Sequence, residues 1–152
     1  MNNNLKQIFG ASIGVIPTDN IKPGQVYGWF PCTGDSMTID APECIPDGCM
    51  ALGRLLDIEN IYELSDYMHQ PVIIQGKTMA GMPFSVLKTI TFINAFNWGS
   101  VRLTSYNKRH RDFWVPFDCI TEVFLVEQKR IRKGKTWITT PVKSPEQYRN
   151  VI

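Results

Sequence analysis

Ser36 and Lys88 are the two side chains whose types and surroundings can do chemistry together. Ser36 sits in the tight polar turn Gly34-Asp35-Ser36-Met37, and Lys88 follows fifty-two residues later in the apolar stretch Phe84-Ser85-Val86-Leu87-Lys88. A serine hydroxyl is a poor nucleophile at neutral pH and needs a base within hydrogen-bond reach. Lysine can be that base only when neutral, because an ammonium has no lone pair and its ordinary pKa is about 10.4. Burial among apolar side chains disfavours the charged form and lowers that value. The neighbours of Lys88 are of that kind: Phe84, Val86, Leu87, Ile90 and Phe92, with no carboxylate among them. On a strand, Phe84, Val86, Lys88, Ile90 and Phe92 share one face, where a charge is costly unless neutral, paired or able to reach water. A Gly-Asp-Ser turn can also aim consecutive N–H groups at a developing oxyanion. The chemistry this spells is acyl transfer. Without it, Ser36 is a turn residue and Lys88 a strand lysine whose stem covers apolar surface.

The elements that must position the pair read as β structure. Residues 25–32 form a strand entering the Ser36 turn; Pro46-Asp47-Gly48 is a turn, and Cys49 to Leu56 is the strand after it. In the polar stretch 57–70, Ile58, Ile61 and Tyr62 repeat at helical spacing and predict a short helix or helical turn. Pro71 to Gln75 is a compact buried strand, residues 76–83 a hairpin connection, and Phe84 to Phe92 its return. Val101 to Ser105, Phe113 to Phe117 and Ile120 to Val126 complete the sheet. The fold class is therefore mainly β with at most short helices. Three parts are expected: an extended N-terminal arm over 1–24, one domain over 25–127, and a basic C-terminal tail over 128–152. Ser144-Pro145-Glu146-Gln147 in that tail is a candidate start for a short helix.

Bulk properties bound the alternatives. A chain of 152 residues holds one core, and 43 % apolar with 20 % charged residues is ordinary for a globular domain. A net charge of +2 creates no global field for nucleic acid or an anionic membrane. No apolar run reaches the roughly 18 residues of a membrane span, and the opening residues 1–6 lack a signal peptide's apolar stretch. A cytoplasmic protein is the expectation. Cys32, Cys44, Cys49 and Cys119 include no CxxC pair, and His69 and His110 lie in unrelated contexts, so no zinc site or cofactor is expected. Reduced thiols are the default, with Cys44 and Cys49 flanking one turn. The basic run Gln128 to Lys135 reads as a solvated end rather than a nucleic-acid grip.

Gly34-Asp35-Ser36-Met37 followed by Ile45-Pro46-Asp47-Gly48-Cys49-Met50-Ala51-Leu52 resembles the stretch around the nucleophile of LexA/UmuD-type self-cleaving serine peptidases. Phe84 to Lys88 is similar to that family's strand with the general-base lysine. Val101 to Asn107, Trp114-Val115-Pro116 and Ile120 to Val126 are similar to its closing strands. The resemblance spans residues 26–127 and implies bent antiparallel sheets of the LexA/signal-peptidase type. It implies Ser36 as nucleophile, Lys88 as general base, and the backbone amides of Asp35 and Ser36 as oxyanion donors. It further implies a homodimer, self-cleavage stimulated by a RecA-type filament, and a place in the SOS response or prophage repression. Signal peptidase I shares a similar core, but this chain shows no membrane anchor.

Three departures accompany the resemblance. The Ser–Lys separation exceeds that of compact members, and the polar stretch 57–70 accounts for the excess as a surface insertion. Thr89 follows the lysine where the family often has Arg. The family cuts after Ala or Cys and before Gly, upstream of the nucleophile; Phe9-Gly10 and Gly10-Ala11 do not match, and Ala80-Gly81 matches only inside the expected hairpin. The 35 residues before Ser36 cannot hold a helix-turn-helix, so no sequence-specific DNA reading is expected. The alternatives are a non-cleaving dimerisation and regulatory module of a phage-type repressor, or an unrelated β protein with a nucleic-acid-binding tail.

Overall fold

The computed structural model describes residues 22–142. The arm up to residue 21 and the candidate helix at Ser144 lie outside the described residues. Eight strands form one antiparallel sheet: β1 (Tyr27–Pro31), β2 (Met50–Leu55), β3 (Pro71–Lys77), β4 (Pro83–Asn94), β5 (Ser100–Thr104), β6 (Phe113–Pro116), β7 (Ile120–Lys133) and β8 (Thr136–Pro141). The sheet order is β1-β2-β7-β3-β4-β5-β6, with β8 pairing with β7. A mainly β fold with short helices is what the alternating apolar patterns led us to expect. No helix among the described residues is long and apolar enough to cross a membrane.

The fourteen-residue β7 organises the sheet. Leu125, Phe124 and Val123 lie opposite Val72, Ile73 and Ile74 of β3, while Phe124 also faces Leu55 of β2. Side-chain alternation then sorts the core into two layers. Val72, Ile74, Ile90, Val101, Leu103 and Val123 pack on one face beneath Ile61 and Leu64. Ile73, Phe124 and Val126 pack on the other, against Phe30, Met37, Ile45 and Ala51. Phe30 and Phe124 meet with ring centroids 4.7 Å apart. The loop between β1 and β2, which carries Ser36, therefore lies over the second face.

The polar stretch forms a 3-10 helix, Ile61–Tyr67. Asn60 caps it by accepting the Tyr62 N–H at 3.1 Å, and Ile61 and Leu64 face the core. Tyr62 points to solvent, so the buried spacing is that of Ile61 and Leu64 rather than Ile61 and Tyr62. Thr78 to Met82 turn the β3–β4 hairpin as expected, with Thr78 N–H donating to Met82 O at 2.8 Å. Ala80 and Gly81 are exposed at its tip, where Gly81 adopts φ 84°.

Two expectations are corrected. The domain boundary at 127 does not hold: β7 continues to Lys133 and turns into β8, so residues 128–141 form a hairpin rather than a tail. Its charges hid this, yet Gln128 and Lys129 are buried, and Lys129 Nζ donates to Pro42 O at 3.1 Å and to Cys44 O. The apolar face assigned to Phe84, Val86, Lys88, Ile90 and Phe92 also ends early. The β4–β5 register shifts between Ile90 and Phe92, which turns Phe92 outward against Trp114 and returns Ile93 to the core.

Candidate active site

Ser36 and Lys88 line one cleft of about 170 Å³. Its walls come from the two segments that precede them, Phe30 to Gly34 at the end of β1 and Ser85 to Leu87 on β4. Met37, Ile45, Ile73 and Leu87 supply apolar lining. Chain reversal at Gly34 makes the turn possible: its φ of 85° is the left-handed region that glycine enters without cost. Asp47 fastens the loop by accepting the Gly34 N–H at 2.9 Å.

Asn107 holds the nucleophile turn from outside. Its N–H donates to Ser36 O at 2.8 Å, and its Nδ2 donates to Asp35 O at 3.1 Å. The same side chain accepts the Arg109 N–H at 3.1 Å, which fixes its orientation. An asparagine after a strand was visible as part of the family resemblance; its grip on the turn was not. Asn107→Ala keeps the backbone bond but removes the side-chain clamp. We expect a loss of about 1 kcal/mol and faster amide hydrogen exchange across Gly34 to Met37.

His110, which the sequence placed in an unrelated basic turn, reaches Asp35: its Nε2 lies 2.7 Å from Oδ1. The imidazole beside it holds the Asp35 carboxyl below the usual aspartate range. A carboxyl depressed on folding favours the fold above its unfolded pKa, and this contribution vanishes as pH falls through the folded value. The Asp35 carboxyl carbon should therefore titrate at lower pH in the unaltered protein than in His110→Ala, as NMR can read directly.

The amides proposed as oxyanion donors are placed differently. Among the described residues the Ser36 N–H donates to no other group, whereas the Asp35 N–H lies near its own carboxylate and helps, after His110, to hold it below the usual range. Lys88 is half-buried on β4, opposite Val72. Burial alone pushes its ammonium below the ordinary lysine value, and no carboxylate counters it. Leu87, the preceding residue, lies opposite Ile73 and packs in the layer that contains Met37 and Ile45. Neither the Ser36 hydroxyl nor the Lys88 ammonium has a hydrogen-bond partner among the described residues, so the two share the cleft without a direct bond between them.

No group of three or more His, Cys, Asp or Glu side chains among the described residues is arranged to hold a metal. The β4 backbone adds a further feature of the cleft. It pairs with β3 from Pro83 onward but with β5 only from Thr89, which among the described residues leaves one edge of Pro83–Lys88 without a partner strand. The chain matches no protein-family model, no curated protein and no solved structure, which leaves the cleft's own chemistry to carry the functional reading.

Proposed function

We propose that this chain is a LexA/UmuD-like serine peptidase domain that cleaves its own polypeptide with Ser36 and Lys88. The observation that carries the reading is that Ser36 and a desolvated lysine, with no carboxylate beside it among the described residues, both line one cleft. Neutral Lys88 takes the proton from Ser36 Oγ as that oxygen attacks a peptide carbonyl carbon. The Ser36 N–H, with Asp35 N–H once freed from its carboxylate, stabilises the oxyanion. Lys88 then returns the proton to the departing amine, and water hydrolyses the ester left on Ser36. The edge of β4 that no described strand covers suits an extended peptide, which would add as a further strand. The apolar lining of Met37, Ile45, Ile73 and Leu87 suits a small apolar residue before the cut bond.

In this reading the domain acts as a homodimer in SOS or prophage-repressor regulation, and a RecA-type filament favours the cleavable conformation. The test is incubation of the purified chain at alkaline pH, followed by intact mass. A new pair of fragments, absent from Ser36→Ala and Lys88→Ala, supports the peptidase. An unchanged mass, with or without a RecA–single-stranded DNA filament, supports a non-cleaving regulatory module instead. One observation favours that second reading: Ser36 and Lys88 make no hydrogen bond to each other here.

A further inference from the structure

The β1–β2 ladder runs to the pair Pro31–Met50, and the next residues on each side are Cys32 and Cys49. Two backbone bonds close this end as a bulge at Gly48, whose φ is 85°: Cys32 N–H donates to Cys49 O at 2.8 Å, and Gly48 N–H donates to Cys32 O at 2.8 Å, so Cys32 faces both Gly48 and Cys49. Directly opposed residues of an antiparallel pair hold their Cβ atoms about 4.5–5.5 Å apart. A disulfide needs about 3.5–4.5 Å, which a small adjustment of the ladder's end supplies. The Cys32 thiol donates to Phe30 O at 3.7 Å, and the two neighbouring thiols act on each other's ionisation: Cys32 favours the Cys49 thiolate, and the Cys32 thiol is pushed up in return. The buried Lys129 ammonium, held by the Pro42 and Cys44 carbonyls, further favours the Cys49 thiolate. Cys49 is buried, whereas Cys32 is half-buried and lines the Ser36 cleft, where a reagent can reach it.

The flanking turn had suggested Cys44 as the neighbour of Cys49. The backbone bond just past the end of the β1–β2 ladder places Cys32 beside Cys49 instead, while Cys44 lies within the loop and Cys119 in a 3-10 helix.

We propose that Cys32 and Cys49 form a reversible redox pair whose disulfide ties off the loop carrying Ser36. With glutathione disulfide as oxidant, Cys32 gives up its proton and its sulfur displaces one glutathione thiolate, forming a mixed disulfide. The Cys49 thiolate then attacks the Cys32 sulfur and expels the second glutathione. Two protein thiols are oxidised, one glutathione disulfide is reduced to two glutathiones, and the departing thiolates take up the released protons. The tie encloses residues 33–48, including Ser36, Met37 and Ile45, so it fixes one wall of the cleft. It stands whether or not Ser36 is a nucleophile.

The full chain should be equilibrated in glutathione buffers of graded oxidised-to-reduced ratio, quenched with a maleimide in denaturant so that buried Cys49 is also labelled, and mapped by mass spectrometry. The expected result is that Cys32 and Cys49 lose maleimide reactivity together, as a peptide joined through both, while Cys44 and Cys119 keep theirs. Dithiothreitol should restore reactivity, and the Cys44→Ser, Cys119→Ser double variant should behave like the unaltered protein. The proposal is overturned if Cys32 and Cys49 react with maleimide at every ratio, if only mixed glutathione adducts form, or if the joined peptide contains Cys44 or Cys119. The map of the unaltered protein decides the matter even if Cys32→Ser does not fold.

Discussion

Ser36→Ala and Lys88→Ala should each leave the chain uncut under conditions where the unaltered protein shortens, a loss on the order of 10³-fold or more in rate. Removing either partner disables the same step, so the double variant should be no worse than the singles. Lys88→Arg should be as inactive, because a guanidinium stays protonated at any workable pH. For the unaltered chain, the cleavage rate should rise with pH as the neutral lysine becomes populated. It should level off below the ordinary lysine pKa of 10.5, because burial lowers the value of Lys88 in the fold. A stability effect of the same sense in pH accompanies this. Where the folded pKa lies below the unfolded one, the unfolded chain binds more protons, so stability rises with pH between the two values. At neutral pH the buried charge is a net cost, and Lys88→Met should raise the melting temperature while abolishing cleavage. That advantage should shrink as the pH passes through the folded lysine pKa toward the unfolded one. Loss of activity with unchanged or lower stability at neutral pH would count against a desolvated lysine at this position.

Gly76→Ala should be the most damaging conservative change in the domain. A Cβ at Gly76 would sit 1.9 Å from the Cys119 carbonyl oxygen and 2.9 Å from Phe84 Cζ. The ring can turn; the carbonyl is backbone. Gly76 lies where the β3–β7 register shifts, beside the 3-10 turn Phe117–Cys119, so relief requires opening the ladder or displacing that turn. We expect a loss of about 3 kcal/mol, seen as a lower urea midpoint with little change in slope. Gly81→Ala is the control. It lies at the β3–β4 hairpin with φ 84° and nothing within 4 Å of its Cβ, so only backbone strain opposes it, about 1–2 kcal/mol. If the two variants cost the same, the close approach at Gly76 does not govern the register.

Much of the sheet was legible because its strands alternate or run apolar between strong turn residues. Each of the strands β1 to β6 was anticipated within a few residues of its observed ends, as were the start of β7 and the short helix before β3. The misses share a physical cause. The end of β7 and β8 are rich in Lys, Arg and Thr, and on composition such residues read as a solvated tail. The burial of Gln128 and Lys129 depends on neighbours supplied by β2 and by the loop at Pro42 and Cys44, which local pattern does not contain. Phe92 was assigned inward because period-two alternation has no place for the extra residue at Thr91. That bulge is set by the pairing of β4 with β5.

The candidate site divides in the same way. Residue types alone determined that Ser36 stands in a glycine turn and that Lys88 stands on an apolar strand without a carboxylate, because both are properties of short segments. Tertiary structure decided that the two line one cleft, that Asn107 and His110 brace the nucleophile turn, and that Cys49 faces Cys32 rather than Cys44. Each of these is a meeting of segments far apart in the chain or of opposed strands. Such meetings are fixed by sheet order and register, which follow from packing the whole core and not from any local run of residues.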